Sequence, residues 1–194
     1  MNAVADEFMA EMENNGAVRL NASQLEALTK AAFTIEPGCG GGCAKPVVNR
    51  DFLGKDPAVL ARAAGITVPD KTPLLFAETD ANHTFVMEEQ MMPFLPIVRV
   101  DSVEEGIKAA KTAERGCRHS GSMFASNAQN ITLMGRELDS TLFAVNGSSM
   151  TGLGLGGEGF VTFSVATATG EGFTNPKTYT RTRRIALVNM LKMY

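Results

Sequence analysis

The 194 residues are 44% hydrophobic and 20% charged, which excludes an intrinsically disordered chain and suits one ordinary globular domain, or a domain with an appendage. A formal net charge of −3 gives no overall pull toward nucleic acid or an anionic membrane, so neither is an expected partner. The apolar runs are too short to span a membrane, the acidic, amphipathic start is unlike a secretory signal or transit peptide, and three cysteines fit a reducing cytoplasm better than a disulfide framework.

In chain order, Val4, Phe8, Met9 and Met12 recur at helical spacing and predict an amphipathic helix over 3–14, ended by Asn14-Asn15-Gly16. Ser23-x-x-Glu26 reads as a capping box, with Leu25, Leu28 and Ala32 as the apolar stripe behind it. Residues 36–45, EPGCGGGCAK, form a breaker-rich loop carrying Cys39 and Cys43. Asp56-Pro57 suits an N-cap and first turn, and Gly65 a left-handed helix end. Apolar runs at 74–78 and 94–100 read as strands. Ser102-x-x-Glu105 is a second capping box, opening a helix that stops at Gly116. Residues 120–126 read as a strand, 127–138 as a helix capped by Asn127, and 141–146 as a strand. These strands are apolar throughout rather than at alternate positions. The pattern predicts an α/β fold, a mainly parallel sheet with helices on both faces. After Gly159 the texture turns β-rich, then basic, with Lys177, Arg181, Arg183, Arg184 and Lys192.

Gly152-x-Gly154-x-x-Gly157 has the spacing of a dinucleotide fingerprint. Such a site needs a strand before the glycines and a helix after them, whose N-terminus receives the pyrophosphate. The strand is present, but residues 160–168 are rich in Val, Thr and Phe, which favour extended structure. The expected role is therefore a glycine loop that lets backbone approach a ligand or another segment. Cys39 and Cys43, with His83 and His119 the chain's two histidines, make a thin case for zinc or a redox pair, and loop cysteines without a fixed role are the favoured reading. Cys117-Arg118-His119 places a thiol beside a cation and an imidazole, yet sequence neighbours rarely achieve the geometry of an activated nucleophile. No catalytic residue and no metal ligand is assigned. Glu88-Glu89 reads from spacing as a solvated turn, the alternative being a carboxylate that accepts hydrogen bonds from ribose hydroxyls.

Several segments resemble one family. MEEQMMPFLPIVRV resembles the Glu-Glu-x-x-x-Pro-x-x-x-Val segment of the aldehyde dehydrogenase superfamily. VNGSSMTGLGLGGEGF followed by TGEGFTNPKTYTRTRRIAL resembles its CoA-acylating branch of ethanolamine and propanediol utilisation, often housed in bacterial microcompartments. NRDFLGKDPAVLARAAGITVP and GCRHSGSMFASNAQNI fit the same branch, while the loop around Cys39 and Cys43 does not. The resemblance implies that aldehyde, CoA and NAD give acyl-CoA and NADH, after attack of a cysteine thiolate on the aldehyde. It places that cysteine and the nucleotide-binding domain before Met1, so the chain alone is expected to be inactive. It assigns Glu89 to the nicotinamide ribose, Met91 to the same region, and Leu155, Gly156 and Gly157 to the aldehyde pocket. It also implies a catalytic-domain portion over 1–170 and a β-rich tail, 171–194, that joins like subunits. The lumen or shell of a microcompartment is a possible setting, with the cytoplasm as the default. The competing readings are a non-catalytic assembly module and a small redox or metal module built on Cys39 and Cys43.

Overall fold

The computed structural model describes residues 1–36, 45–157, 161–162, 165, 172–186 and 188. Cys39, Cys43 and most of the β-rich stretch 160–172 lie outside the described residues. The chain divides into two compact units, Met1–Arg115 and Gly116–Tyr194.

The first unit opens with α1 (Asn2–Asn14), which buries Ala5 and Met9. Asn2 N–H donates to the Val100 carbonyl at 2.9 Å, and Asp6 pairs with Arg99. Then follow β1 (Val18–Arg19) and α2 (Ala22–Ala32). The cap of α2 is two residues earlier than the spacing predicts. Asn21 Oδ1 accepts the Gln24 N–H at 2.9 Å, and Gln24 Oε1 accepts the Asn21 N–H at 2.9 Å. Both Asn21-x-x-Gln24 and Ser23-x-x-Glu26 satisfy the capping pattern, and the structure uses the first. The chain next forms an antiparallel hairpin of β2 (Phe33–Glu36) and β3 (Lys45–Val48), with Glu36 opposite Lys45. The loop expected over 36–45 is thus flanked by a strand pair.

In α3 (Pro57–Ala63) Asp56 is the N-cap and Pro57 stands in the first turn, as expected. It ends in a Schellman motif: Ile66 N–H reaches the Ala61 carbonyl at 3.0 Å, and Gly65 N–H the Arg62 carbonyl at 3.1 Å. Gly65 adopts φ +79°, where glycine is unhindered. Strands β4 (Leu75–Thr79) and β5 (Phe94–Val98) flank a four-residue helix, α4 (Thr84–Met87), that sequence pattern did not reveal. The unit closes with α5 (Val103–Glu114), whose N-cap Ser102 accepts the Glu105 N–H at 3.1 Å.

Strands β1, β4 and β5 form a parallel sheet in the order β1-β4-β5, Leu75 lying opposite Phe94. Leu75 and Ala77 belong to a core cluster with Leu28, Leu60 and Ala61 of α2 and α3. Phe76, which points the other way, is equally buried. Consecutive strand residues face opposite sides, so both faces of β4 are covered. Burying a side chain such as Phe76 is worth about 1.5–3 kcal/mol. Phe85 ties α4 to its surroundings: its ring centroid lies 4.9 Å from Phe33 and 4.3 Å from Phe94. Such aromatic pairs add roughly 0.5–1.5 kcal/mol each beyond area burial.

The second unit contains a βαβ crossover: β6 (Ser120–Met123), α6 (Ala128–Leu138) and β7 (Leu142–Val145), with β6 and β7 parallel. Asn127 caps α6 by accepting the Gln129 and Asn130 N–H groups. A Cβ at Gly121 would stand 2.3 Å from Leu138 Cδ2, so that glycine lets the helix end approach the strand. After β7 come a 3-10 turn at Ser149–Gly152 and, in the tail, another at Pro176–Tyr179. The described residues of 171–194 contain no strand.

Candidate functional site

Residues 88–91 link α4 to the approach of β5, and three anchors hold them. The Arg115 guanidinium donates to both oxygens of Glu88, at 3.1 and 2.9 Å. Gln90 Nε2 lies 3.4 Å from the Phe85 carbonyl oxygen and 3.3 Å from that of Phe94. The Met91 carbonyl accepts the Gly54 N–H at 3.2 Å. The residues that follow each tethered side chain, Glu89 and Met91, behave differently. Glu89 is exposed and, among the described residues, makes no hydrogen bond or ion pair. Met91 is 71% exposed and adopts φ +48°. For a non-glycine residue this left-handed conformation costs roughly 1–3 kcal/mol, and such outliers cluster at ligand sites. The segment therefore fixes Glu88 and Gln90 and displays Glu89 and Met91.

His83, at the N-cap of α4, accepts the Phe85 N–H on Nδ1 at 3.2 Å and stacks on the Phe85 ring. Burial holds its pKa below the ordinary histidine value, with Asp80 opposing the shift. Beyond the carboxyl ends of β1 and β4 lies an open hollow of about 490 Å³, lined by Glu13, Arg19, Asn21 and Glu78 among others. An apolar hollow of about 280 Å³ lies between α4, β5 and α5, against Phe85, Val98 and Ala110. Glu89 and Met91 line neither.

In the second unit, Asn146 at φ +54° ends β7. Its side chain bridges to Ala125, accepting that residue's N–H at 2.8 Å and donating to its carbonyl at 3.0 Å. This clamp fixes the start of the glycine loop. The loop then folds on itself: the N–H groups of Leu153 and Leu155 donate to the Met150 carbonyl, and that of Gly154 to the Thr151 carbonyl. Donors engaged in this way do not point at a phosphate. Gly152 and Gly157 are packing glycines. A Cβ at Gly152 would stand 2.8 Å from Leu142 Cδ1, and one at Gly157 2.9 Å from the Thr151 oxygen. Leu155 is 59% exposed, and Gly156, at φ +85°, faces open space.

Cys117 is a free, exposed thiol. The neighbouring His119 directs Nδ1 to Ser120 Oγ at 2.7 Å, and Arg118 pairs with Asp139 at 2.9 Å. Among the described residues no group of three or more His, Cys, Asp or Glu could hold a metal ion, and no helix is long and apolar enough to cross a membrane. Glu89 and Met91 thus come together in the first unit, and Leu155, Gly156 and Gly157 in the second. Sequence reasoning missed Arg115, Gln90, Gly54 and Asn146. The doubled Glu88-Glu89 was the available signal, since one carboxylate of such a pair can be structural while the other stays free.

No family model matches the chain. Over 193 residues it is 44% identical to the acetaldehyde dehydrogenase (acetylating) EutE of Salmonella typhimurium, a match covering 100% of this chain and 40% of that protein. It is similar to the solved propionaldehyde dehydrogenase of Rhodopseudomonas palustris with bound propionyl-CoA, with a TM-score of 0.83 and 34% identity over 93% of this chain and 38% of that one. It is also similar to a propionaldehyde dehydrogenase from the Clostridium phytofermentans fucose utilisation bacterial microcompartment, with a TM-score of 0.82 and 34% identity over 92% of this chain and 39% of that one. The chain spans about 40% of the length of the curated relative it matches.

Proposed function

We propose that this chain, a homologue of the CoA-acylating aldehyde dehydrogenases over part of their length, forms one wall of the active cleft of such an enzyme. The reaction is conversion of an aldehyde, CoA and NAD to acyl-CoA and NADH. The observation that carries the reading is segment 88–91, which displays a carboxylate and a thioether from an otherwise tethered turn. NAD fits these groups. Glu89 has both oxygens available to accept from ribose hydroxyls, and Met91 offers an adaptable apolar surface beside it. When bound, NAD supplies the acceptor for the hydride. Glu89 holds the ribose, while Leu155, Gly156 and Gly157 border the space for the aldehyde and its acyl thioester. Gly156 leaves that border open because no Cβ projects from it.

The matched relative is longer than the stretch this chain covers, and the attacking sulfur is assigned to the part of such an enzyme that lies outside that stretch. Residues 1–170 serve as the catalytic-domain portion and 171–194 as the segment that joins like subunits. The exposure of Ile185 (75%) and Val188 (92%) beside Arg183 and Arg184 supports that role. The microcompartment named for one similar structure makes a microcompartment lumen the proposed setting.

The test replaces the matching stretch of the Salmonella enzyme with this chain and follows NADH absorbance with acetaldehyde or propionaldehyde, CoA and NAD. Turnover is expected from the chimaera and none from the chain alone. Glu89→Ala in the chimaera is expected to raise KM for NAD about tenfold, since a hydrogen bond to a charged group is worth about 1.5–3 kcal/mol. A folded but inactive chimaera would overturn the proposal, as would turnover by the chain alone that disappears in Cys117→Ala.

A further inference from the structure

Arg115 is 27 residues from Glu88 in sequence, yet its guanidinium grips both oxygens of that carboxylate. Two-point pairing of this kind fixes direction as well as distance, which a lysine ammonium cannot do. The backbone around the pair is unusual. Arg115 is the C-cap of α5 and adopts φ +54°, a conformation that glycine holds at less cost. Gly116, the next residue, stands at φ +81°. A glycine in place of Arg115 would end the helix with less strain, but would leave Glu88 without its fork. At the other end of segment 88–91, Met91 stands at φ +48° with its carbonyl fastened to Gly54. The segment is thus held at both ends by residues in costly backbone conformations, with Glu89 displayed between them.

Helix α5 acts as a ruler in this arrangement. Its first turn is pinned by Ser102 accepting the Glu105 N–H and by Glu105 accepting the Asp101 N–H at 2.8 Å. Its length then carries the last residue to the end of α4, where Glu88 begins the segment.

We infer that Arg115 is a positioning residue: by forking onto Glu88 it aims the Glu89 carboxylate and the Met91 side chain at the ribose of a nicotinamide nucleotide. The inference rests on the proposed role of Glu89. Arg115 does not touch the nucleotide. It reduces the number of orientations open to residues 89–91 before the ligand arrives, and preorganisation of this kind appears as affinity.

The experiment uses the whole chain labelled with 13C-methyl methionine and nicotinamide mononucleotide as the probe. The Met91 methyl signal is assigned with Met91→Leu. Wild type is expected to show a saturable shift of that signal. Arg115→Ala and Glu88→Gln are expected to raise the Kd for the mononucleotide about tenfold, equivalent to about 1.4 kcal/mol. The exchanged pair Glu88→Arg with Arg115→Glu is expected to restore Kd to within about threefold of wild type, a rescue that a general loss of stability would not give. Glu88→Gln keeps the volume of the side chain, so the inference stays testable if Arg115→Ala does not fold. A tenfold loss in Glu89→Ala with wild-type affinity in both Arg115→Ala and Glu88→Gln overturns the positioning role alone. No saturable shift in wild type, or unchanged affinity in Glu89→Ala, overturns the ribose reading and this inference with it.

Discussion

His83 shows how one side chain can couple α4 to pH. Its Nδ1 accepts the Phe85 N–H, a contact that only the unprotonated nitrogen can make. Burial lowers its pKa below 6.5, against the smaller opposing effect of Asp80. As pH falls through 6.5, the unfolded chain takes up a proton that the native chain resists. Native stability therefore declines from that point and levels off below the lowered native value. His83→Asn keeps a capping acceptor and removes the titration. Wild-type Tm is expected to fall more steeply than that of His83→Asn between about pH 7 and about pH 5. Parallel curves would show that His83 titrates alike in the folded and unfolded chain. Gly152 makes a different point at this scale. Its place in a dinucleotide-like spacing suggested backbone close to a ligand or to another segment, and the structure places it against Leu142 Cδ1, where a Cβ would collide. Spacing records that a glycine is required, and only the contact says whether a ligand or a neighbouring side chain requires it.

At the scale of elements, α2 offers a direct test of which cap is used. Asn21 accepts the Gln24 N–H, while the side chains of Ser23 and Glu26 already lie within the helix. Asn21→Ala is expected to lower stability by about 1 kcal/mol, and Ser23→Ala to change it by less than about 0.5 kcal/mol. Chemical denaturation distinguishes them, and the reverse order would restore the cap read from spacing. The strands β4 and β5 and the helices α5 and α6 were legible because apolar runs and Ser or Asn caps mark them without competition. Three features were not. Two capping patterns overlapped at the start of α2. The hairpin strands carry exposed Thr34, Ile35 and Glu36, so they lack the apolar run of a buried strand. Helix α4 has four residues and a histidine at its N-cap, too short for any period to register. The site divided in the same way. Glu89 and Met91 were named through resemblance, but the fork on the neighbouring Glu88 joins residues far apart in sequence, and no local pattern encodes it.

At the scale of the whole molecule, burial is unevenly shared. In the first unit Leu28, Leu60, Leu75 and Phe76 are fully buried, and β4 is covered on both faces. In the second, the buried apolar residues among those described are Leu138, Leu142 and Ala144, each 5–6% exposed. Local opening costs least where few apolar contacts must be broken, and functional loops are drawn from that end of the range. Amides of β4, Leu75–Ala77, are therefore expected to exchange with deuterium last. Those of the β6–β7 pair, around Gly121 opposite Phe143, are expected to exchange measurably sooner. Proton exchange followed by NMR on the intact chain measures both sets in one experiment. Equal protection would mean that the two units open together, and the glycine loop after β7 would then share the stability of the main core. Earlier exchange in β6 and β7 would place Leu155–Gly157 on the more easily opened unit, while Glu89 stays on the rigid one.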